Sequence, residues 1–99
     1  MTRSRSGDER IRCQVSFTGR VQGVGFRYTV LELARSFDVT GIVRNETDGS
    51  VELVVEGYRD EIERFLQAID ASRLGRLIRH KQHQEGPEQG SYRRFSISY

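Results

Sequence analysis

The residues of this chain with the most chemical promise run from Gly19 through Arg20, Val21, Gln22, Gly23 and Val24 to Gly25, with Phe26 and Arg27 next. A strand that ends in a glycine-rich turn and passes at once into a helix exposes several backbone N–H groups at the helix start. With the helix dipole behind them, such donors suit a phosphate or carboxylate. Gly23 and Gly25 let the chain curl with no side chain blocking approach. Arg27, in the first helical turn, can close its guanidinium over the same anion through two parallel hydrogen bonds. Taken alone, the glycines also read as a tight strand-to-helix connection, with Arg27 in solvent. The stretch is neither a P-loop, whose lysine-serine ending it lacks, nor a dinucleotide fingerprint, whose third glycine it lacks. Asn45, at the end of a strand-like run, reads by itself as a residue that bonds nearby backbone.

The elements that must position these residues are legible from periodicity. Ile11 to Phe17 alternates apolar and polar residues as a half-buried strand does. Phe26, Val30, Leu33, Ala34 and Phe37 fall on one helical face, and Asp38 closes that helix. Val39 to Arg44 is a second strand. Asp48-Gly49 marks a tight turn into a third, in which Val51, Leu53 and Val55 alternate with Glu52, Val54 and Glu56. Ile62, Phe65, Leu66 and Ile69 define a second helix, with Asp60 and Glu61 placed favourably in its first turn. Leu77 to Gln84 is a basic strand, Glu85 to Gly90 a loop, and Phe95, Ile97 and Tyr99 a closing strand. The order is β-α-β-β-α-β with one extra strand before the last. It predicts a ferredoxin-like α+β sandwich: an antiparallel sheet of about five strands with two helices on one face.

Composition bounds the rest. The 99 residues suffice for one domain, expected over residues 11–99 behind a flexible tail at 1–10. The tail has basic residues but no apolar core of a secretory signal, and no apolar run is long enough to span a bilayer. Cys13, the single cysteine, fits a reducing, cytoplasmic setting and reads as a buried small hydrophobe rather than a nucleophile. A net charge of +2 is too small a surplus to indicate nucleic-acid binding. A small domain without an exposed apolar stripe is expected to be a monomer. His80 and His83, three apart on a strand, point to opposite faces, so the pair does not share a metal ion; both read as surface residues.

The stretch Gly19-Arg-Val-Gln-Gly-Val-Gly-Phe-Arg27 resembles the signature of the acylphosphatase family. So do Gly41-Ile-Val-Arg-Asn45, the following Asp48-Gly-Ser-Val-Glu52 and the closing Phe95-Ser-Ile-Ser-Tyr99. The resemblance covers roughly residues 11 to 99. It implies hydrolysis of small acyl phosphates to a carboxylate and inorganic phosphate, with no metal and no organic cofactor. Carried over by position, it implies catalytic roles for Arg27 and Asn45. It also implies a phosphate cradle formed by Arg20, Val21, Gln22, Gly23, Val24, Gly25 and Phe26 together with Arg27.

Some features depart from that pattern. Ile42 stands where many relatives have tryptophan, Glu46 follows Asn45 and would repel an anion if it faced the site, and Ser72 to Tyr92 follows the family least. Other readings are distinguishable. RNA-binding domains of similar layout carry basic-aromatic motifs on the open sheet face, and this chain has none. A non-catalytic anion-binding or regulatory domain would bind phosphate without turnover. A domain fused to a larger maturation enzyme is the third alternative, against which the short chain argues.

Overall fold

In the computed structural model, which describes residues 9–99, the elements follow in the order β1 (Arg10–Gly19), α1 (Phe26–Ala34), β2 (Val39–Asn45), β3 (Val51–Tyr58), α2 (Arg59–Ala71), a short 3₁₀ helix (Arg73–Arg76), β4 (Ile78–Pro87) and β5 (Phe95–Ile97). Most of the anticipated tail, residues 1–8, lies outside the described residues. Glu9 and Arg10 already belong to the domain: the Glu9 carbonyl accepts from Arg59 N at 2.9 Å, and Arg10 opens β1.

The five strands lie in the order β4-β1-β3-β2-β5. The expected antiparallel sheet is corrected at one edge, where β5 runs parallel to β2, pairing Gly41 with Phe95 and Val43 with Ile97. β4 runs antiparallel to β1. The chain must therefore cross the whole sheet before turning back at the far edge, which leaves β5 pointing the same way as β2. β4 is also longer than expected, because Glu85, Gly86 and Pro87 pair with Cys13, Arg12 and Ile11 instead of forming a loop. As an edge strand it tolerates Pro87 and its charged residues.

One face of the sheet is dry. Ile11, Cys13, Val15 and Phe17 of β1 and Val51, Leu53 and Val55 of β3 pack against Phe26 and Val30 of α1 and Ile62, Phe65 and Ile69 of α2. Phe65 joins the helices to the sheet edge, with ring centres 5.8 Å from Phe37 and 5.6 Å from Phe95. Burial, and secondarily the Glu85 charge, push the Cys13 thiol up to about 11, so it is protonated at neutral pH and a poor nucleophile. Among the described residues no helix is long and apolar enough to cross a membrane.

The other face is crossed by the connection from β4 to β5. Alternation alone groups Glu56 with the solvent-facing residues of β3, yet it is 1 % exposed. Its carboxylate accepts from Gln89 N at 2.8 Å and Ser91 N at 3.3 Å, with the Arg12 guanidinium 3.7 Å away. Arg12 in turn lies 5.7 Å from the Tyr92 ring centre. These contacts tie the crossing segment down and so fix where β5 begins. Replacing Glu56 by Ala leaves two amides without their acceptor and is expected to cost about 2 kcal/mol of unfolding free energy. Denaturant melts of the variant, beside Glu56→Gln as the milder change, measure it.

Candidate active site

The glycine-rich segment leaves β1 at an irregularity. Register with β4 shifts between Thr18 and Gly19, and Arg20 N donates to Leu77 O at 2.9 Å. Two apolar anchors then pin the loop: Val21 is fully buried, and Phe26 is 2 % exposed with its ring 5.2 Å from that of Phe17. Between them the backbone has nowhere to go but around. Gly23 and Gly25 both sit at φ 76°, in the left-handed region that disfavours a side chain. Gly25 is the N-cap of α1 and carries no side chain to close it, and the first turn has no acidic residue. Among the described residues, no N–H from Val21 to Tyr28 has an acceptor. Such a row of unpaired donors, aligned with a helix dipole, suits an anion.

Val21, Gly23, Gly25, Phe26, Arg27, Tyr28 and Asn45 line one cavity of about 190 Å³. Arg27 and Asn45, far apart in sequence, thus meet on it. Asn45 arrives as the last residue of β2, paired with Val51 across the turn to β3. That turn is closed by Asp48, whose carboxylate accepts from Ser50 Oγ at 2.6 Å and Ser50 N at 2.9 Å. Those bonds hold the exposed Asp48 carboxyl below its ordinary range, the Ser50 side chain first. Arg27 is partly shielded by the Tyr99 ring, whose centre lies 5.1 Å from the guanidinium carbon, and the Tyr99 hydroxyl is 3.4 Å from that of Tyr28.

Three residues expected in the cradle stand apart from the cavity lining: Arg20, Gln22 and Val24. The Arg20 N–H is engaged by Leu77. The Gln22 side chain points to the β2–β3 turn, where Nε2 donates to Glu46 O at 2.7 Å and to Ser50 O at 2.8 Å. Gln22 therefore ties the loop that carries Arg27 to the turn that follows Asn45. Val24 contributes its carbonyl, which accepts from Arg73 Nη2 at 2.9 Å. The same nitrogen donates to Thr29 Oγ1 at 3.0 Å. In a planar trans peptide, fixing the Val24 carbonyl towards Arg73 turns the Gly25 N–H the opposite way. Arg73 lies in the stretch least like the expected pattern, and no local signal marks it; only the packing of the 3₁₀ helix against α2 brings it here. Glu46, the suspected repulsive neighbour, is not among the lining residues, and its carboxylate accepts from Arg44 Nε at 2.9 Å.

A profile of the Acylphosphatase family matches residues 13–97. A curated relative described as an acylphosphatase, from Methanospirillum hungatei, is 40% identical over 87% of this chain and 94% of its own. The crystal structure of acylphosphatase from Bacillus subtilis superposes with a TM-score of 0.82 at 32% identity, covering 90% of this chain and 99% of that one. The crystal structure of full-length HypF, in its phosphate- and nucleotide-bound form, matches with a TM-score of 0.78 at 30% identity. It covers 92% of this chain but only 12% of that one.

Because Arg73 reaches the loop from outside the cavity, its removal should loosen the donors without deleting one. Arg73→Ala is expected to weaken inorganic phosphate binding about tenfold, as loss of one charge-assisted hydrogen bond predicts. Arg73→Lys, which keeps the charge but not the planar fork, should fall between. Amide chemical shifts of residues 22–28 during a phosphate titration read both.

Proposed function

The chain belongs to the acylphosphatase family and is an enzyme of that class, a hydrolase of the carboxyl-phosphate bond; from that premise we propose how its own residues perform the reaction. The N–H groups between Val21 and Tyr28, with the Arg27 guanidinium, hold the three terminal oxygens of the phosphoryl group. Asn45 orients the attacking water. The reading rests on one observation, the convergence of the unpaired loop donors, Arg27 and Asn45 on a single cavity.

The substrate dictates how little the protein must do. In an acyl phosphate the leaving group is a carboxylate, stable without protonation. Attack of the water oxygen on phosphorus forms one P–O bond as the P–O bond to the acyl oxygen breaks. A dianionic acyl phosphate and water give the carboxylate and H₂PO₄⁻, so both water protons end on the phosphate and none is left over. Catalysis then reduces to placement and to charge stabilisation at the phosphoryl oxygens. Preorganised N–H donors and a guanidinium supply the second without reorganisation at the moment of reaction. Asn45 is neutral, and its amide can accept from the water through Oδ1 and donate through Nδ2. A carboxylate in its place would add a negative charge beside an anionic substrate. Proton transfer to a phosphoryl oxygen of the substrate completes the step without a protein base.

Two glycines of the loop line the cavity; Tyr28, which also lines it, and Tyr99, whose ring lies against Arg27, are both exposed. That supports recognition of the phosphoryl end and broad tolerance of the acyl group. We further propose that the protein works as a monomer in the cytoplasm. Support comes from how few large hydrophobic residues are exposed, among the described residues Tyr28, Tyr58 and Tyr99, and from a free, buried Cys13.

Two substitutions separate the assigned roles. With benzoyl phosphate as substrate and a chelator present, Arg27→Ala is expected to lose phosphate affinity and turnover together, with kcat/KM down on the order of 10³-fold. Asn45→Ala should lower kcat on the order of 10²-fold or more while inorganic phosphate still inhibits as in the parent. Near-normal hydrolysis by both variants would sink the assignment. Glu46→Gln, outside the cavity lining and paired with Arg44, should change kcat/KM by less than about twofold.

A further inference from the structure

At the border of β1 and β4, on the face that carries the helices, three side chains of metal-ligand type converge. The antiparallel register pairs Cys13 with Glu85 and Val15 with His83. Cys13, His83 and Glu85 therefore all project to the same side of the sheet. The His83 Nε2 lies 3.3 Å from Cys13 Sγ. The sulfur, the ring nitrogen and a Glu85 carboxylate oxygen all fall within 4.8 Å of one another. His80 takes no part. It pairs with Thr18 on the opposite face, so the two histidines do not cooperate, but His83 finds its partner across the strand border.

From this convergence we propose that Cys13, His83 and Glu85 bind a zinc-class divalent cation that clamps the edge strand β4 to β1, apart from the phosphate site. The donor set suits such an ion: thiolate, imidazole and carboxylate are its usual ligands. Metal-sulfur and metal-nitrogen bonds of ordinary zinc length, set at a tetrahedral angle, place the two ligand atoms about 3.6 Å apart. The existing 3.3 Å separation needs only a few tenths of an ångström of adjustment. His83 and Glu85 are exposed, which gives the ion a path in and leaves a fourth position for water.

The surroundings favour the arrangement. Arg59 Nη1 donates to Glu85 Oε1 at 2.6 Å, a usual outer-shell contact that orients the carboxylate. Binding balances simply: the ion replaces the thiol proton, which leaves to solvent, and His83 ligates through its neutral nitrogen with the proton on Nδ1. The effect on the fold follows from topology. β4 is an edge strand that pairs only with β1, and almost every residue along it is exposed, so few apolar contacts hold it. A bond between the strands at mid-length supplies what packing does not.

The test is a titration of the full-length chain with zinc chloride by calorimetry and with cobalt chloride by absorbance. The expected result is one ion per chain, one proton released per ion, and a thiolate-to-cobalt charge-transfer band. His83→Ala and Cys13→Ala should each weaken binding at least about tenfold, and Glu85→Gln less. Free zinc about 100-fold above its Kd should raise Tm by roughly 15 °C in the parent and not in His83→Ala. Benzoyl phosphate hydrolysis by His83→Ala should match the parent. His83 and Glu85 are exposed edge residues, so their variants carry the test even where Cys13→Ala misfolds. Zinc binding unchanged in His83→Ala, a cobalt complex without the charge-transfer band, or no thermal shift in the parent would each overturn the proposal.

Discussion

The whole site depends on the burial of two side chains, Val21 and Phe26, on either side of a short run of backbone. Each is packed into the core between β1 and the helices, and neither can leave without exposing apolar surface worth about 2 kcal/mol. Held at both ends, the intervening chain must turn back on itself within a few residues. Left-handed glycines make that turn possible. The turn in its own right strips the N–H groups of their acceptors and presents them together. A loop built this way presents its main-chain N–H groups to the cavity, with Val21 and Phe26 as buried anchors and the Arg27 side chain beside them.

Around that loop the remaining contacts act as braces. Gln22 fastens it to the β2–β3 turn, so that the segment bearing Arg27 and the strand end bearing Asn45 move as one unit. Arg73 fastens it from behind through the Val24 carbonyl. Asp48 keeps the turn closed from the other side. Hydrogen bonds to fixed carbonyls hold the Arg27 segment and the Asn45 strand end in a set relation across the cavity. On the far side of the sheet, Glu56 does comparable work for the crossing segment, which delivers β5 and, beyond it, the Tyr99 ring against Arg27.

Much of this was legible in the sequence because it is local. The alternation of Ile11, Cys13, Val15 and Phe17, the helical spacing of Ile62, Phe65 and Ile69, and the Asp48-Gly49 turn each reflect a period of a few residues, and the elements formed where those periods lie. The position of the glycine-rich turn between β1 and α1 was legible for the same reason. What failed to show was whatever two distant segments decide jointly. Glu85 to Pro87 looked like a loop by composition but is a strand, because β1 offers it a row of partners. Glu56 looked solvated until a connection more than 30 residues away covered it. His83 is the surface residue it looked like, but only the register of β4 against β1 sets Cys13 beside it.

By itself, then, the sequence determined the order and kind of the elements, the dry face of the sheet and the glycine-rich turn between β1 and α1, because periodicity and backbone freedom belong to the residues themselves. Tertiary structure alone decided that β5 runs parallel to β2, that Gln22 braces the loop with its side chain instead of lining the cavity, and that Arg73 reaches the cradle. Those outcomes depend on which atoms of remote segments fall within about 3 Å of one another, a distance set by sheet register and helix packing. No pattern along one stretch of chain encodes it.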